Sequence, residues 1–185
     1  MNRKDKKLLA GQSLLEMVFA IGILLIVVAA ILALATANVV GQKESEFQVI
    51  ANNLAREGIE AVRHIRDSNW LAGEQWDQGL APGNQAVAEF ISADNLWRLE
   101  FSCDNKLLYL DSGIYSHQAN GNLSVYSRCL TLKDICQAAD GSEAVKDSCS
   151  SGEQKVGLKV IATIEWSERG RNRVVTLEDL LYQWK

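Results

Sequence analysis

Glu16 is a lone carboxylate at the start of a long apolar segment. The segment runs from Met17 to Ala37 and contains no charged residue. A charged side chain at the centre of a membrane-spanning helix costs roughly 2.5–3.5 kcal/mol, and less near the interface, so such residues usually have a partner. Glu16 therefore predicts a pairing with a positive charge at the head of this segment.

A new α-amine would supply that positive charge if the chain were cut after Gly11. Gln12 would then be the first residue and Glu16 the fifth. The carboxylate of one copy could pair with the amino terminus of a neighbouring copy, because charges attract more strongly in an apolar, weakly screened setting than in water. Such a pairing would fix the register of helices that assemble side by side.

The four cysteines form a second candidate group. They are Cys103, Cys129, Cys136 and Cys149. An even number of cysteines in an oxidising compartment predicts two disulfides, with three possible pairings. We favour Cys103–Cys129, which would tie strands together, and Cys136–Cys149, which would close a small loop.

The remaining polar candidates do not form a recognisable catalytic or metal-binding set. His64 and His117 each stand alone, without a nucleophile and an orienting group. The cysteines lack the Cys-x-x-Cys spacing of zinc sites, and neither histidine is close to them in sequence. The acidic stretch 140–147 lacks the ligand spacing of an EF-hand, so a solvated turn is favoured over a calcium site. The sequence thus predicts a protein that is not an enzyme and needs no metal or other cofactor.

Three arginines, Arg169, Arg171 and Arg173, lie together in a polar turn. They could contact nucleic acid by neutralising phosphates. The formal net charge of the chain is −4, and without its first eleven residues the chain has 15 basic and 22 acidic residues, a net charge of −7. This acidic balance argues against general nucleic-acid affinity and favours a solubilising turn.

The apolar segment has the length of a membrane span, since about twenty apolar residues cross a hydrocarbon core of about 30 Å. The residues before it are predominantly basic: Arg3, Lys4, Lys6 and Lys7 against Asp5. The excess of basic residues on the cytoplasmic side predicts a cytoplasmic amino terminus and an outside domain. Two alternatives remain open: an uncleaved anchor, and a secretory signal cut before Asn38.

The helical pattern continues beyond the membrane. Apolar or small residues recur every three or four positions and predict one buried face: Phe47, Ile50, Leu54, Gly58, Val62 and Ile65. A continuous helix over about residues 13–67 would be roughly 80 Å long. We expect an upright stalk whose outer half packs on a domain.

The residues after the helix favour a long loop and then an antiparallel sheet. Residues 69–93 predict the loop, pinned by Trp70 and Trp76. Alternation over 97–103 and 106–110 predicts a hairpin with a turn at Asp104-Asn105, a third strand near 125–132, and a closing hairpin of 156–166 with 174–184. This is an α+β order. The predicted divisions are 1–11, 12–40 for the membrane half of the helix, 41–68 for its amphipathic half, and 69–185 for the head.

Gly11 to Glu16, after a short basic leader and before an uninterrupted apolar helix, resembles the leader of type IV pilins and pseudopilins. The resemblance implies that a membrane peptidase cuts after Gly11 and methylates the amine of Gln12, and that Glu16 guides assembly. Gln12 departs from the phenylalanine usual in major pilins, and the helix lacks the proline that kinks many of them. Both departures favour a minor pilin or a pseudopilin.

The carboxyl-terminal hairpin is similar to the ending of minor pilins of the pilus-modification type. It consists of a strand over 161–166, a glycine-bearing turn and a strand over 175–184 that ends in a tryptophan. The resemblance implies a structural subunit of a surface filament, with a role in cell adhesion. Its partners would be other pilin subunits, the leader peptidase, the assembly platform and the membrane. A membrane-anchored binding domain that never polymerises remains the alternative from a different class.

Overall fold

The computed structural model describes residues 3–183, with side chains from residue 14 onward. Over this range the chain forms one α-helix followed by eight strands. Helix α1 is Arg3–Ala72. The strands are β1 (Gln85–Ile91), β2 (Leu96–Glu100), β3 (Leu107–Asp111), β4 (Ile114–Ser116), β5 (Asn122–Gln137), β6 (Glu143–Lys146), β7 (Gln154–Glu168) and β8 (Arg171–Tyr182). The predicted α+β class, with a long amino-terminal helix and an antiparallel sheet, is confirmed.

The chain divides into two compact units, Met1–Phe47 and Gln48–Lys185. Where it is described, the first unit is helical throughout. The second unit contains the last part of α1 and all the strands. We call it the head unit.

Helix α1 ends later than the predicted residue 67. Gly73 adopts a positive φ of 75°, a conformation that glycine tolerates without steric cost. The amide of Gly73 donates to the carbonyl of Trp70 at 3.1 Å, and that of Glu74 donates to Asn69 at 2.9 Å. These two bonds form a Schellman cap, so the glycine sets the end of the helix.

Strand β5 is the centre of the sheet. One of its edges pairs with β7, which in turn pairs with β8. Its other edge is shared by β3, β1 and β6, and every pairing is antiparallel. Strands β2 and β4 extend the sheet beyond β1 and β3. The predicted third strand and the closing hairpin are present as β5 and as β7 with β8.

The predicted hairpin around Asp104-Asn105 is wrong. Strand β2 pairs with β1, which lies inside the stretch 69–93 that the sequence indicated as a loop. Strand β6 also lies in the stretch 140–147 that was interpreted as a solvated turn, and β4 lies where no strand was predicted. Alternation identifies which residues share a face, but it does not identify the partner strand. Here Phe90 and Trp97 pack across the pair with ring centroids 5.5 Å apart, a contact between residues that the sequence assigned to different elements.

The core lies between the head part of α1 and one face of the sheet. The buried side of the helix matches the predicted stripe and includes Ala51, Leu54, Ala55, Ile59 and Val62. The sheet contributes Leu130, Leu132, Leu158, Val160, Ala162 and Ile164. A β-carbon on Gly58 would lie 2.8 Å from Cδ2 of Leu130. The glycine therefore allows the helix to approach β5 closely.

Candidate functional site

The apolar segment of α1 is uncovered along its whole length. Every side chain from residue 14 to residue 39 is exposed, with Phe19 at 64% and Leu34 at 65%. The most apolar window of the helix has a mean hydropathy of 3.2, and none of it is buried. An apolar surface this large is unfavourable in water and marks a membrane or protein contact. By length and composition the helix can cross a membrane.

Glu16 is exposed within this apolar surface. Among the side chains that the structure describes, none forms an ion pair with it, and the residues three and four positions later are Phe19 and Ala20. Gly11 and Gln12, the predicted processing residues, lie outside the range in which side chains are described. A compensating cation for Glu16 must therefore come from the residues before it or from another molecule.

The head unit contains two disulfides, with the pairing favoured from the sequence. Cys103–Cys129 joins the connection between β2 and β3 to β5, with Cα atoms 5.7 Å apart. Cys136–Cys149 joins β5 to the segment after β6, with Cα atoms 5.4 Å apart. No cysteine within the described range is free. Disulfides persist in oxidising compartments, which agrees with an outside head.

Asp134 lies beside Cys136 and Cys149, but the three do not form a metal site as they stand. The two sulfurs are bonded to each other and cannot act as thiolate ligands. Lys155 also holds the carboxylate of Asp134 at 2.9 Å and that of Asp77 at 2.6 Å. The Lys155 ammonium lies 5.2 Å from the ring of the buried Trp76, so this cluster pins the loop after α1 to the sheet.

The acidic stretch around Asp140 closes the turn between β5 and β6. The carboxylate of Asp140 accepts hydrogen bonds from the amide and the hydroxyl of Ser142, at 2.9 and 2.6 Å. These two bonds lower the pKa of Asp140. The carboxylate thus stabilises a local turn.

Arg128 is a buried cation that the sequence analysis missed. Its guanidinium lies 3.4 Å from the carbonyl of Leu54 and from the carboxylate of Glu57, and 3.2 Å from the carbonyl of Ala88. Arg128 therefore connects β5 to both α1 and β1. Burial lowers the pKa of Arg128, while Glu57 acts in the opposite direction. The alternation of β5 could have indicated that Arg128 is buried, because Arg128 shares the inward face of the strand with the buried Leu130.

His117 is buried, with only 2% of its surface exposed. Its Nδ1 lies 3.0 Å from the carbonyl of Asn105 and 3.2 Å from that of Leu107. Since carbonyl oxygens only accept, Nδ1 must carry the proton. Burial and the charge of Arg128 lower the pKa of His117 to about 4. His117 is thus a neutral structural histidine that holds the start of β3.

The lowered pKa of His117 predicts that the head unit loses stability in acid. Between the ordinary pKa of 6.5 and about 4, the unfolded state binds more protons than the folded state. Stability is therefore fully present above pH 6.5 and falls as the pH decreases toward 4, by roughly 2–3 kcal/mol. Urea unfolding of the full chain at pH 7 and pH 4.5, followed by tryptophan fluorescence, measures this loss.

A His117→Asn variant is the control for this acid sensitivity. Asparagine can still donate a hydrogen bond but does not titrate in this range. The variant should be less stable at pH 7 and should show a smaller loss between the two pH values. An equal loss in both proteins would assign the acid sensitivity to other groups.

The three arginines of the predicted polar turn lie at the end of the β7–β8 hairpin. Arg169 and Gly170 both have positive φ, 51° and 75°, which is the geometry of a two-residue turn. Arg171 and Arg173 share one face of β8, where Arg171 is directly opposite Glu168. A carboxylate across the strand weakens the positive potential that a phosphate would need.

Comparisons with family models, curated proteins and solved structures found no match for this chain. The fold and the exposed segment nevertheless define a structural class. The chain is an α+β protein with one amino-terminal helix able to span a membrane and a disulfide-bonded β domain. These features are compatible with a single-pass membrane protein.

Proposed function

We propose that the chain is a pilin-like structural subunit, cut after Gly11 and assembled into a filament through the apolar segment of α1. The observation that carries this proposal is Glu16, an exposed carboxylate on a membrane-length helix with no cation among the described side chains to neutralise it. A simple anchor gains nothing from such a residue. A helix that must recognise a neighbouring helix can use the carboxylate to pair with a charge on that neighbour.

The assembly step follows from the charges at the cut. Cleavage after Gly11 removes the basic leader and leaves an ammonium group on Gln12, four residues before Glu16. When a second copy inserts beside the first, its carboxylate can pair with that ammonium where water does not screen the attraction. The pairing sets the axial register between the helices, and methylation of the amine would leave its charge unchanged.

The packing of such helices is supported by the small residues of the segment. These are Gly22, Ala29, Ala30, Ala33, Ala35 and Ala37. Small side chains allow backbones to approach, and close packing drives helix association where lipid is as apolar as the side chains. The carboxyl-terminal β7–β8 hairpin supports a minor pilin of the pilus-modification type. A pseudopilin of a secretion or DNA-uptake machine would use the same helix.

The amino terminus of the exported protein tests the proposal. Intact-mass analysis and amino-terminal sequencing of protein purified from membranes or filaments should show Gln12 as the first residue, with the mass of one added methyl group. A chain that starts at Met1 would indicate an uncleaved anchor, and one that starts at Asn38 would indicate a secretory signal. Either result would overturn the proposal.

A further inference from the structure

A cavity of about 390 Å³ opens in the head unit between the β1–β2 hairpin and the β3–β4 hairpin. It forms where β5 changes partner along one edge. Pairing with β3 ends at Ser127, and pairing with β1 begins at Leu130. The gap is lined at its base by Arg128. Its volume falls in the usual range of roughly 300–1,000 Å³ for small-molecule sites.

Aromatic rings from both hairpins line this cavity. Phe90 and Trp97 contact each other at 5.5 Å and 57°, and together they form one wall, with Phe90 still 42% exposed. Tyr115 lies on the β4 side and packs edge-on against Tyr126 at 5.9 Å. The aromatic rings therefore line two sides of the cavity and do not enclose a ligand on all sides.

Neutral hydrogen-bonding groups line the opposite rim. Gln118 and Asn120 follow β4 and contact each other, with the Asn120 amide donating to the Gln118 oxygen at 3.4 Å. Ser112 donates to the carboxylate of Asp111 at 3.1 Å. Together these side chains offer both donors and acceptors at the mouth of the cavity.

The charges of the cavity disfavour anionic ligands. Three carboxylates line it, from Glu57, Glu89 and Asp111, against the single guanidinium of Arg128. An anion would meet a net charge of −2. A quaternary cation would contact an aromatic wall on one side only, and it could not exchange hydrogen bonds with the amides and hydroxyls of the rim.

We propose that this cavity binds a neutral saccharide of one or two rings. The C–H face of a pyranose would lie against Trp97 and Phe90, while its hydroxyls would exchange hydrogen bonds with Asp111, Gln118 and Asn120. Aromatic faces supply apolar contact at little entropic cost, and the few polar groups that converge on the cavity supply specificity. The site does not depend on filament assembly, because it lies wholly within the head unit.

Saturation-transfer NMR on the full chain tests the proposal. The protein would be placed in nanodiscs of phosphatidylethanolamine and phosphatidylserine, which carry neither sugar nor choline. The probes are glucose, galactose, mannose, N-acetylglucosamine, lactose and maltose, with choline and acetate as charged comparisons. At least one neutral sugar should give a saturable signal on its ring protons. Silence from all six sugars, or a saturable response to choline or acetate alone, would overturn the proposal.

Matched variants locate the binding. Trp97→Ala and Asp111→Asn should each weaken sugar binding by about tenfold or more. Phe101→Ala removes another exposed aromatic side chain near β2 that does not line the cavity, and it should leave binding unchanged. Intact disulfides, checked by mass, and an unchanged near-ultraviolet spectrum would establish that each variant is folded. Equal affinity in folded Trp97→Ala and Phe101→Ala proteins would place the sugar elsewhere.

Discussion

Replacing Glu16 by alanine is expected to leave synthesis and membrane insertion intact and to remove the protein from filaments. Alanine makes the amino-terminal helix more apolar, so insertion becomes easier. The same change leaves the ammonium of the neighbouring copy without its carboxylate in an apolar setting. Losing one partner of a buried ion pair costs roughly 3–5 kcal/mol. That cost corresponds to a loss of incorporation on the order of a hundredfold or more.

The measurement is the ratio of filament-associated to membrane-associated protein, by quantitative blotting of sheared filaments and membranes. Glu46→Ala is the matched control, since it removes an exposed glutamate from the same helix outside the apolar segment. Glu16→Gln keeps the size and polarity of the side chain without its charge, and it should fail as alanine does. Normal incorporation of Glu16→Ala would mean that the carboxylate does not direct assembly. The anchored binding domain would then be the better interpretation.

Loss of the two disulfides should have the largest effect on the stability of the head. Cys103–Cys129 closes a separation of 26 residues and Cys136–Cys149 one of 13. In the chain-entropy description these bonds stabilise the fold by about 3–4 and about 3 kcal/mol respectively. Domains of this size have a total stability of about 5–15 kcal/mol. A chain that lacks both disulfides should therefore be largely unfolded or only marginally stable.

Two double substitutions to serine separate the contributions. Cys103→Ser with Cys129→Ser should lower the free energy of unfolding more than Cys136→Ser with Cys149→Ser, because the longer loop loses more entropy. Urea unfolding with and without a reducing agent gives both values. A third variant, with all four cysteines replaced by serine, is the control. The reducing agent should not change its free energy of unfolding. Two variants as stable as the wild type would show that packing alone holds the head together.

The local sequence pattern was sufficient to predict the elements that have a regular hydrophobic periodicity. The helix stripe around Leu54 and Val62 and the alternation of β7 follow from one periodicity each, because each element buries a single face. The partner strand of β2 could not be predicted from periodicity. Its partner β1 buries three consecutive residues, 86–88, so it shows no clear alternation, and it is preceded by a glycine-rich stretch. Only contacts between distant segments, such as Phe90 with Trp97, select it.

The buried polar residues of the head also could not be predicted from the local sequence pattern. Arg128 is held by backbone carbonyls far away in sequence, at Leu54 and Ala88, and His117 is held by the carbonyl of Asn105 in the connection before β3. A buried cation is tolerated only where the fold supplies acceptors for it, and those acceptors have no side-chain signature. The cavity between the β1–β2 and β3–β4 hairpins has the same origin, since it lies where β5 changes partner beside Arg128. Glu16 differs, because its significance lies in its immediate sequence neighbours.

The central place of β5 also imposes an order on biosynthesis. One of its edges can pair with β1 and β3 as soon as β5 itself has been made, but the other must wait for β7, which follows β5 and β6 in the chain. Long-range pairing of this kind is slow, because the chain must close large loops before it gains contacts. The buried side of the head helix is therefore covered in part by β5, and it is fully covered only after β7 has been made. The core of the head is for this reason completed only when β7 pairs with β5.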